Sequence, residues 1–212
     1  MRKIITALGI VLALVCCIPQ ISFAAPIFSD NFNAENGGVG ALNYTTFVNW
    51  IVENGTVDLI GNGFWDFFPE HPEYGLYVDM DGSTGDAGWM THDIALGPGS
   101  YQLSFDLAGN QRGGSDQVQV RVRLGFLAED ITLAANAPFQ TYTYTFVVGS
   151  GGLTDSIRFR GMGSPGVEPG GDNVGLLLDN VALSAVPEPA TMLLLGFGLV
   201  GLGAFRKRTR KS

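Results

Sequence analysis

Alternation of apolar and polar residues runs through the middle of the chain and constrains its fold more than any other feature. The segments that alternate most clearly are residues 101–107, 118–124, 142–146 and 157–159. A period of two places one face of a β-strand in a core and the other in water. No window of a dozen residues in this region carries an apolar stripe at helical spacing. We therefore predict that the central part of the chain is all-β.

Turn signals separate these segments at regular intervals. Asn54-Gly55, between residues 50–53 and 56–60, predicts a two-residue β-hairpin. About nine or ten short strands with such turns favour an antiparallel β-sandwich, of which a jelly roll is the version we expect. Residues 161–173 form a long stretch rich in glycine and proline, a type of loop that often carries function.

The N-terminus has the three parts of a secretory signal peptide. Arg2 and Lys3 precede an apolar run over residues 4–18, and Ser22-Phe23-Ala24 supplies small residues for a signal peptidase. We predict a signal peptide helix over residues 1–24 that is cleaved after Ala24, the alternative being a permanent N-terminal anchor. Both cysteines of the chain lie in this segment, so the mature chain would contain no disulfide.

The C-terminus carries a second targeting pattern over residues 187–212. Pro187-Glu188-Pro189 precedes an apolar run at 190–205, and a basic end follows at 206–212. A helix of 16 residues spans about 24 Å, against about 30 Å of bilayer hydrocarbon, so the predicted transmembrane helix is short. The basic end should remain in the cytoplasm and hold the body outside the membrane.

This tail resembles the PEP-CTERM sorting domain, which combines a Pro-Glu-Pro motif, a short glycine-rich apolar helix and an arginine-rich end. The resemblance implies that exosortase, a membrane-embedded protease-transpeptidase, cuts the tail near Pro187, Glu188 and Pro189. Proteins of this type occur in Gram-negative bacteria that make exopolysaccharide. A plain tail anchor is the alternative. The resemblance predicts membrane attachment first, then a location at the cell surface or in the extracellular matrix.

The body left between the two ends, residues 25–186, is strongly acidic. It contains five arginines, no lysine and 19 acidic residues, a formal charge of −14 against −8 for the whole chain. Such a surface repels nucleic acids and anionic lipid headgroups. It would suit a neutral partner or divalent cations, so we expect no nucleic-acid partner.

The body also resembles the carbohydrate-binding-type, galactose-binding-like jelly rolls. The matching pieces are short and spread over the body, at residues 28–32, 75–82, 99–105 and 178–181. The resemblance implies that the first and last strands pair. It also implies that a structural calcium ion lies near them.

An aromatic segment at residues 64–68 is the most unusual part of the body. A loop that exposes Trp65 or Phe68 would give a sugar ring a flat platform, with Asp66 and Glu70 beside it to bond hydroxyl groups. Alternatively, these aromatics form a hydrophobic plug over one end of the sandwich. The other two tryptophans, at positions 50 and 89, lie in strand-like contexts and are predicted to be core residues.

Aspartates supply the candidate metal ligands. Asp79, Asp81 and Asp86 surround a glycine-rich turn, and calcium prefers clustered carboxylates on a sharply bent loop. Asp30 and Asp179 are a rival pair, because a sandwich would bring the two ends of the body together. A solvated acidic turn is the third interpretation. The only histidines, His71 and His92, lack the neighbours that a zinc site needs, and we expect a loop residue and a hydrogen-bonded strand residue respectively.

No catalytic constellation stands out. The chain has no G-x-S-x-G elbow, and the mature chain has no cysteine nucleophile. The predicted function is therefore that of an exported envelope or matrix protein that binds carbohydrate without catalysis. A purely structural or adhesive protein of the exopolysaccharide matrix is the second hypothesis. A glycoside-acting hydrolase is the third, with Asp66, Glu70 or Glu73 as its candidate acids.

Overall fold

The alternating segments form strands of two antiparallel sheets in a computed structural model of the protein, which describes residues 25–113, 115–122, 127–163, 173–186 and 198. The side chains at 115–122 and 127–128 lie outside this description. Seven strands form the first sheet: β1 Phe28–Asp30, β2 Ala41–Tyr44, β4 Val57–Gly61, β5 Leu76–Asp79, β7 Gly99–Ala108, β10 Gln140–Val148 and β12 Leu177–Ala185. Five form the second: β3 Ile51–Glu53, β6 Trp89–Leu96, β8 Ser115–Val122, β9 Leu127–Ala134 and β11 Leu153–Gly163.

The strand order shows how the chain moves between the two sheets. The first sheet runs β10-β7-β12-β5-β4-β2, with β1 also paired to β12, and the second runs β3-β6-β11-β8-β9. The all-β class, the antiparallel pairing and the contact of the first strand with the last are confirmed. The jelly-roll version of the sandwich stays a prediction. The described residues form twelve strands, more than the nine or ten expected, because several are only three or four residues long.

The core lies between the inner faces of the two sheets. Phe105 on β7 and Phe159 on β11 are fully buried, with ring centroids 5.1 Å apart. Trp50, just before β3, packs 5.8 Å from Phe159 and is 3% exposed, so its predicted core position is confirmed. Burying one such side chain stabilises the fold by about 1.5–3 kcal/mol.

A second apolar cluster covers part of the outer face of the seven-stranded sheet. Its buried members come from four strands, and aromatics from loops pack against them: Ile60, Tyr77, Ala108 and Leu177, with Phe64, Phe67, Phe68, Tyr74 and Phe139. Because both faces of the sheet are covered here, every residue of β4 and β5 is buried. These two strands therefore lack the alternation that marks the others. We call this set the outer cluster.

The hairpin predicted at Asn54-Gly55 is wrong. The turn exists, but β3 and β4 belong to different sheets, where β3 pairs with β6 and β4 pairs with β2 and β5. The neighbouring backbone explains the glycine, since a Cβ at Gly55 would lie 2.3 Å from the carbonyl oxygen of Asp86. The same segment bonds the next residue, because the N–H of Thr56 donates to that carbonyl at 3.0 Å. This turn therefore joins the two sheets.

Residues Ala25–Val186 form one compact unit. The predicted signal peptide and sorting tail, with their two helices, lie outside the described residues apart from Gly198. Within the part of the chain that the structure describes, no helix has the length and apolarity to cross a membrane. Of the glycine-rich stretch at 161–173, residues 161–163 belong to β11 and residues 164–172 lie outside the description.

Replacing Phe105 tests whether the inner faces hold the sandwich together. We expect Phe105→Ala to lower the free energy of unfolding by about 3–5 kcal/mol, because the remaining core cannot fill the cavity. Val147→Ala on β10 is the control, since Val147 is 66% exposed and its loss should change stability by no more than about 0.5 kcal/mol. Urea unfolding followed by tryptophan fluorescence measures both. Equal losses in the two variants would contradict this account of the core.

Candidate functional site

The aromatic segment is presented by a tight turn at the end of β4. Gly61 and Phe64 exchange two backbone hydrogen bonds of 2.8 and 2.9 Å. Asn62 and Gly63 between them have φ angles of 51° and 82°, a left-handed pair that these residue types adopt readily. Trp65 follows with a φ of 45°, which is rare for a bulky side chain. The turn thus sets the direction in which the aromatics leave the sheet.

The aromatics of this segment divide into two groups. Phe64, Phe67 and Phe68 pack into the outer cluster, and the ring of Phe68 lies 5.1 Å from that of Phe139. Trp65 is 63% exposed. The plug interpretation therefore describes the three phenylalanines, and the exposed platform describes Trp65 alone.

Asp66 holds the loop from within. Its carboxylate accepts the N–H of Gly63 at 3.2 Å, the N–H of Phe68 at 2.9 Å and the hydroxyl of Tyr77 at 3.1 Å. Tyr77 is fully buried, and burial raises the pKa of its hydroxyl well above the ordinary value. That hydroxyl also accepts the N–H of Phe67 at 2.7 Å. Asp66 is therefore first a structural residue that fixes the backbone around Trp65.

The two glutamates that follow, Glu70 and Glu73, have different surroundings. Glu70 is exposed. The carboxylate of Glu73 accepts a hydrogen bond from Nδ1 of His71 at 3.0 Å, and this bond lowers the pKa of Glu73. His71 is a loop residue, as predicted, and its ring stacks on Tyr74 with centroids 4.9 Å apart. His92 lies on β6, and its Nδ1 is 2.7 Å from the carbonyl oxygen of Asn49, so the predicted bonded strand residue is also confirmed.

An ion pair lies beneath the aromatic loop. Arg112 pairs with Asp79 of β5 and donates to the carbonyl oxygen of Asn173 at 2.8 Å. Its guanidinium also lies over the ring of Phe67, 5.3 Å from the centroid. One cation therefore joins a strand, the segment that precedes β12 and the aromatic loop.

The acidic turn predicted as a metal site, which carries Asp79, Asp81 and Asp86, is partly buried. Asp79 and Asp81 are buried, whereas Asp86 is exposed. The N–H of Asp81 donates to Asp79 at 3.1 Å. Burial raises the pKa of Asp79 well above its ordinary value, against the lowering effect of Arg112. The buried Asp58 lies opposite Asp79 on β4 and adds to the negative charge there. Of the three predicted ligands, two come together and the third does not.

The rival pair lies where the two ends of the body meet. Asp30 on β1 accepts the N–H of Phe32 at 2.9 Å and the indole N–H of Trp50 at 3.0 Å. Asp179 on β12 lies opposite Asp106 of β7 and is 2% exposed. Burial, together with the smaller effect of the charges of Asp106 and Asp30, raises the pKa of Asp179 to about 8. An open pocket of about 510 Å³ adjoins these strands, lined in part by Asp30, Asn49 and Asn180.

Several of the predicted calcium ligands are engaged by other groups of the protein. Calcium takes six to eight oxygen ligands, but Asp30 already accepts nitrogen donors and Asp79 is paired with Arg112. Among the residues that the structure describes, no three of His, Cys, Asp and Glu are placed to hold one metal ion. Calcium binding stays a prediction, and nothing in the function proposed below depends on it.

A second polar surface lies on the outer face of the five-stranded sheet. The prediction that Trp89 is a core residue is wrong, because its neighbour Met90 fills the core and Trp89 lies on the opposite face of β6. The guanidinium of Arg160 lies over the Trp89 ring, 5.3 Å from the centroid. The alternation contains the signal that would have found this, since Trp89 shares its face with the polar Thr91 and Asp93.

Comparison with known proteins identifies the tail. Residues 185–208 match the PEP-CTERM protein-sorting motif, so the predicted sorting signal is confirmed and the chain is an exported protein. Among curated proteins, none matches the sequence closely enough to count as a relative.

Several solved structures are similar to the body at low identity. The CBM22-1 xylan-binding domain from Paenibacillus barcinonensis Xyn10C is 9% identical with a TM-score of 0.46, over 80% of this chain and 99% of that one. The carbohydrate-binding module CBM6cm-2 from Cellvibrio mixtus lichenase 5A is 13% identical with a TM-score of 0.36, over 77% and 100%. The exo-β-1,3-galactanase Pc1,3Gal43A from Phanerochaete chrysosporium is 18% identical with a TM-score of 0.39, over 76% and 30%. Likeness at this level carries no information on a ligand.

The raised pKa of Asp179 predicts a pH dependence of stability. An unfolded aspartate has a pKa of about 3.8, so between about pH 4 and pH 8 only the folded state keeps this proton. Stability should therefore fall as the pH rises through this range. Asp179→Asn should make the fall smaller, as measured by urea unfolding at pH 5, 6, 7 and 8.

A destabilised variant without a titrating change is the control for this experiment. Val181→Ala removes buried apolar contacts from the same strand and should lower stability by a similar amount at every pH. If Asp179→Asn keeps the pH dependence of the unsubstituted protein, the proposed proton at Asp179 is wrong.

Proposed function

We propose that the protein is delivered to the cell envelope or extracellular matrix, where its β-sandwich binds carbohydrate without catalysis. The observation that carries the proposal is the exposure of Trp65, at 63%, beside three phenylalanines that are packed against the sheet. An exposed indole presents a flat apolar face on which the C–H face of a sugar ring can stack. A tryptophan that served only to close the fold would lie with its neighbours in the outer cluster.

The loop holds Trp65 in place before any ligand arrives. Its left-handed backbone conformation costs free energy and persists only where the surroundings impose it. Here the turn at residues 61–64 and the three hydrogen bonds to Asp66 impose it from both sides. A platform that is already ordered loses little entropy on binding, which favours recognition by a single aromatic side chain.

Polar groups near the platform would orient the sugar. Glu70 is exposed and can accept hydrogen bonds from hydroxyl groups. A carboxylate has about four acceptor positions, and three at Asp66 are used within the loop, so at most one remains for a ligand. Phe68 would support the platform from the outer cluster rather than stack on the sugar itself.

The packed phenylalanines favour the structural or adhesive hypothesis as a second candidate. In that case the loop only closes the outer face of the sheet, and Trp65 is exposed without a ligand. The hydrolase hypothesis would draw on Asp66, Glu70 or Glu73, but Asp66 is engaged by three donors and Glu73 by His71.

Substitution of Trp65 separates these functions. The full chain, purified in a detergent without a sugar headgroup, is tested on an array of oligosaccharides that includes the host exopolysaccharide. We expect binding that Trp65→Ala weakens at least about tenfold and Trp65→Phe largely retains, because the stacking surface is lost only in the first. Val48→Ala is the control, since Val48 is 83% exposed on another loop.

Two outcomes would overturn the proposal. The structural hypothesis would be favoured if no oligosaccharide on the array binds and an aqueous quencher reaches Trp65 equally with and without sugar. Release of reducing ends from a polysaccharide would favour the hydrolase.

The sorting motif predicts a processing step. Replacing Pro187, Glu188 and Pro189 together by alanine should prevent cleavage by exosortase and leave a longer, membrane-retained species. Intact mass and fractionation of the exported protein measure this. Pro138→Ala, a proline substitution within the body, is the control and should leave the mature mass changed only by the substitution. An identical cut in the motif variant would show that the motif does not direct cleavage, and no cut in either protein would show that the tail is only an anchor.

A further inference from the structure

The outer face of the five-stranded sheet carries a cluster of side chains that the proposed function does not use. On β11, Ile157 and Phe159 fill the core, so Arg158 and Arg160 lie on the opposite face. On β6 the cross-strand partners of these two arginines are Thr91 and Trp89. We call these four residues, Trp89, Thr91, Arg158 and Arg160, the arginine face.

The structure holds both arginines of this face in place. Nε of Arg158 donates to Oγ of Ser156 at 2.9 Å. Arg160 rests on the ring of Trp89. Among the described residues, neither arginine lies within ion-pair distance of a carboxylate. In a body with 19 acidic residues, two neighbouring cations without a carboxylate partner in the described part of the chain are an unexpected arrangement.

Two buried polar atoms at the same place lack a partner among the described residues. Thr91 is 5% exposed, and its Oγ1 makes no hydrogen bond; Nε of Arg160 is likewise buried without an acceptor. A buried polar group without a hydrogen-bond partner destabilises a folded protein, so folded proteins contain few of them. The Nε–H group of Arg160 and the hydroxyl of Thr91 could both donate a hydrogen bond to an acceptor atom bound at this face.

The strand register also places acidic residues on this face. Asp93 on β6 lies two residues from Thr91, and Glu53 on β3 and Asp130 on β9 lie on the two edge strands of the sheet. Arg158 and Arg160 therefore lie in the middle of the sheet, with acidic positions on β6 and at both edges.

We propose that the arginine face binds a carboxylate group of an acidic glycan, such as a uronic acid residue. The planar guanidinium matches a carboxylate through two parallel hydrogen bonds, and the hydroxyl of Thr91 can donate a further one. A bound carboxylate would also offset the repulsion between Arg158 and Arg160. The acidic edge strands and the formal charge of −14 would repel a densely charged polyanion. A glycan with one charge per sugar is therefore the ligand that we expect.

This inference rests on the proposed carbohydrate function and adds a ligand class and a second binding face. The two faces are distinct, because the Trp65 loop follows β4 of the seven-stranded sheet and the arginine face lies on the five-stranded sheet.

Calorimetric titration of the full chain tests the inference, with trigalacturonate and its methyl ester as the two probes. The free acid should bind at least about tenfold more tightly than the ester, the loss expected when a charged hydrogen bond is removed. Arg158→Gln should remove that preference, and Arg158→Lys should keep part of it, because lysine retains the charge without the planar fork. Raising the salt concentration should weaken the binding of the free acid but not that of the ester.

A matched control separates the site from net charge. Gln140→Glu on the exposed surface of β10 changes the net charge by the same amount as Arg158→Gln and should leave the preference intact. Thermal unfolding by circular dichroism checks that each variant is folded. If Arg158→Gln is unfolded, Thr91→Val replaces it in the experiment. This variant should weaken the binding of the free acid more than that of the ester.

Each remaining outcome decides the question. Equal binding of acid and ester, or binding of neutral glycans only, would overturn the carboxylate site and leave the proposed function standing. Acid preference that survives Arg158→Gln would place the site elsewhere and overturn the inference. Binding lost with Trp65→Ala but not with Arg158→Gln would also overturn it. No binding of any glycan would overturn both proposals together.

Discussion

The ion pair of Arg112 with the buried Asp79 is the interaction on which the two sides of the seven-stranded sheet depend. Asp79 lies in β5, where both faces of the sheet are covered, and Asp58 adds a second buried carboxylate opposite it. Removing Arg112 would destabilise the fold, because the buried carboxylate of Asp79 would lose the positive charge that compensates it. Arg112 also reaches Phe67 and the carbonyl of Asn173, so the charge that makes the burial of Asp79 tolerable also positions the loop that presents Trp65.

Much of the fold could be predicted from local pattern, and the errors occur where distant residues decide. The strands at 101–107 and 142–146 alternate because one face of each lies in the core, so their sequence contains the information. The Asn54-Gly55 turn has the local signature of a hairpin. The strands on its two sides instead pair with other strands, β3 with β6 and β4 with β5, and so belong to separate sheets. No local signal in the sequence indicates these pairings.

The candidate site follows the same division. Four aromatics in five residues predict a special loop, but only the contacts with Phe139 and Tyr77 determine which of them are covered. Net charge is a similarly coarse guide. An acidic composition predicts a neutral or cationic partner, whereas the described arginines are concentrated at two places, one beneath the aromatic loop and one on the outer face of the other sheet.

The position of β12 gives the domain a mechanical property. This strand lies inside the seven-stranded sheet, hydrogen-bonded to β7 along most of its length and to β5 and β1 on its other side. The sequence passes from it directly into the sorting tail, and the N–H of Val186 still bonds to Ser100 at 2.8 Å. A force directed along this strand would load these hydrogen bonds together in shear, instead of peeling them one by one. Such a joint resists pulling forces, which would suit the proposed binding of carbohydrate outside the cell.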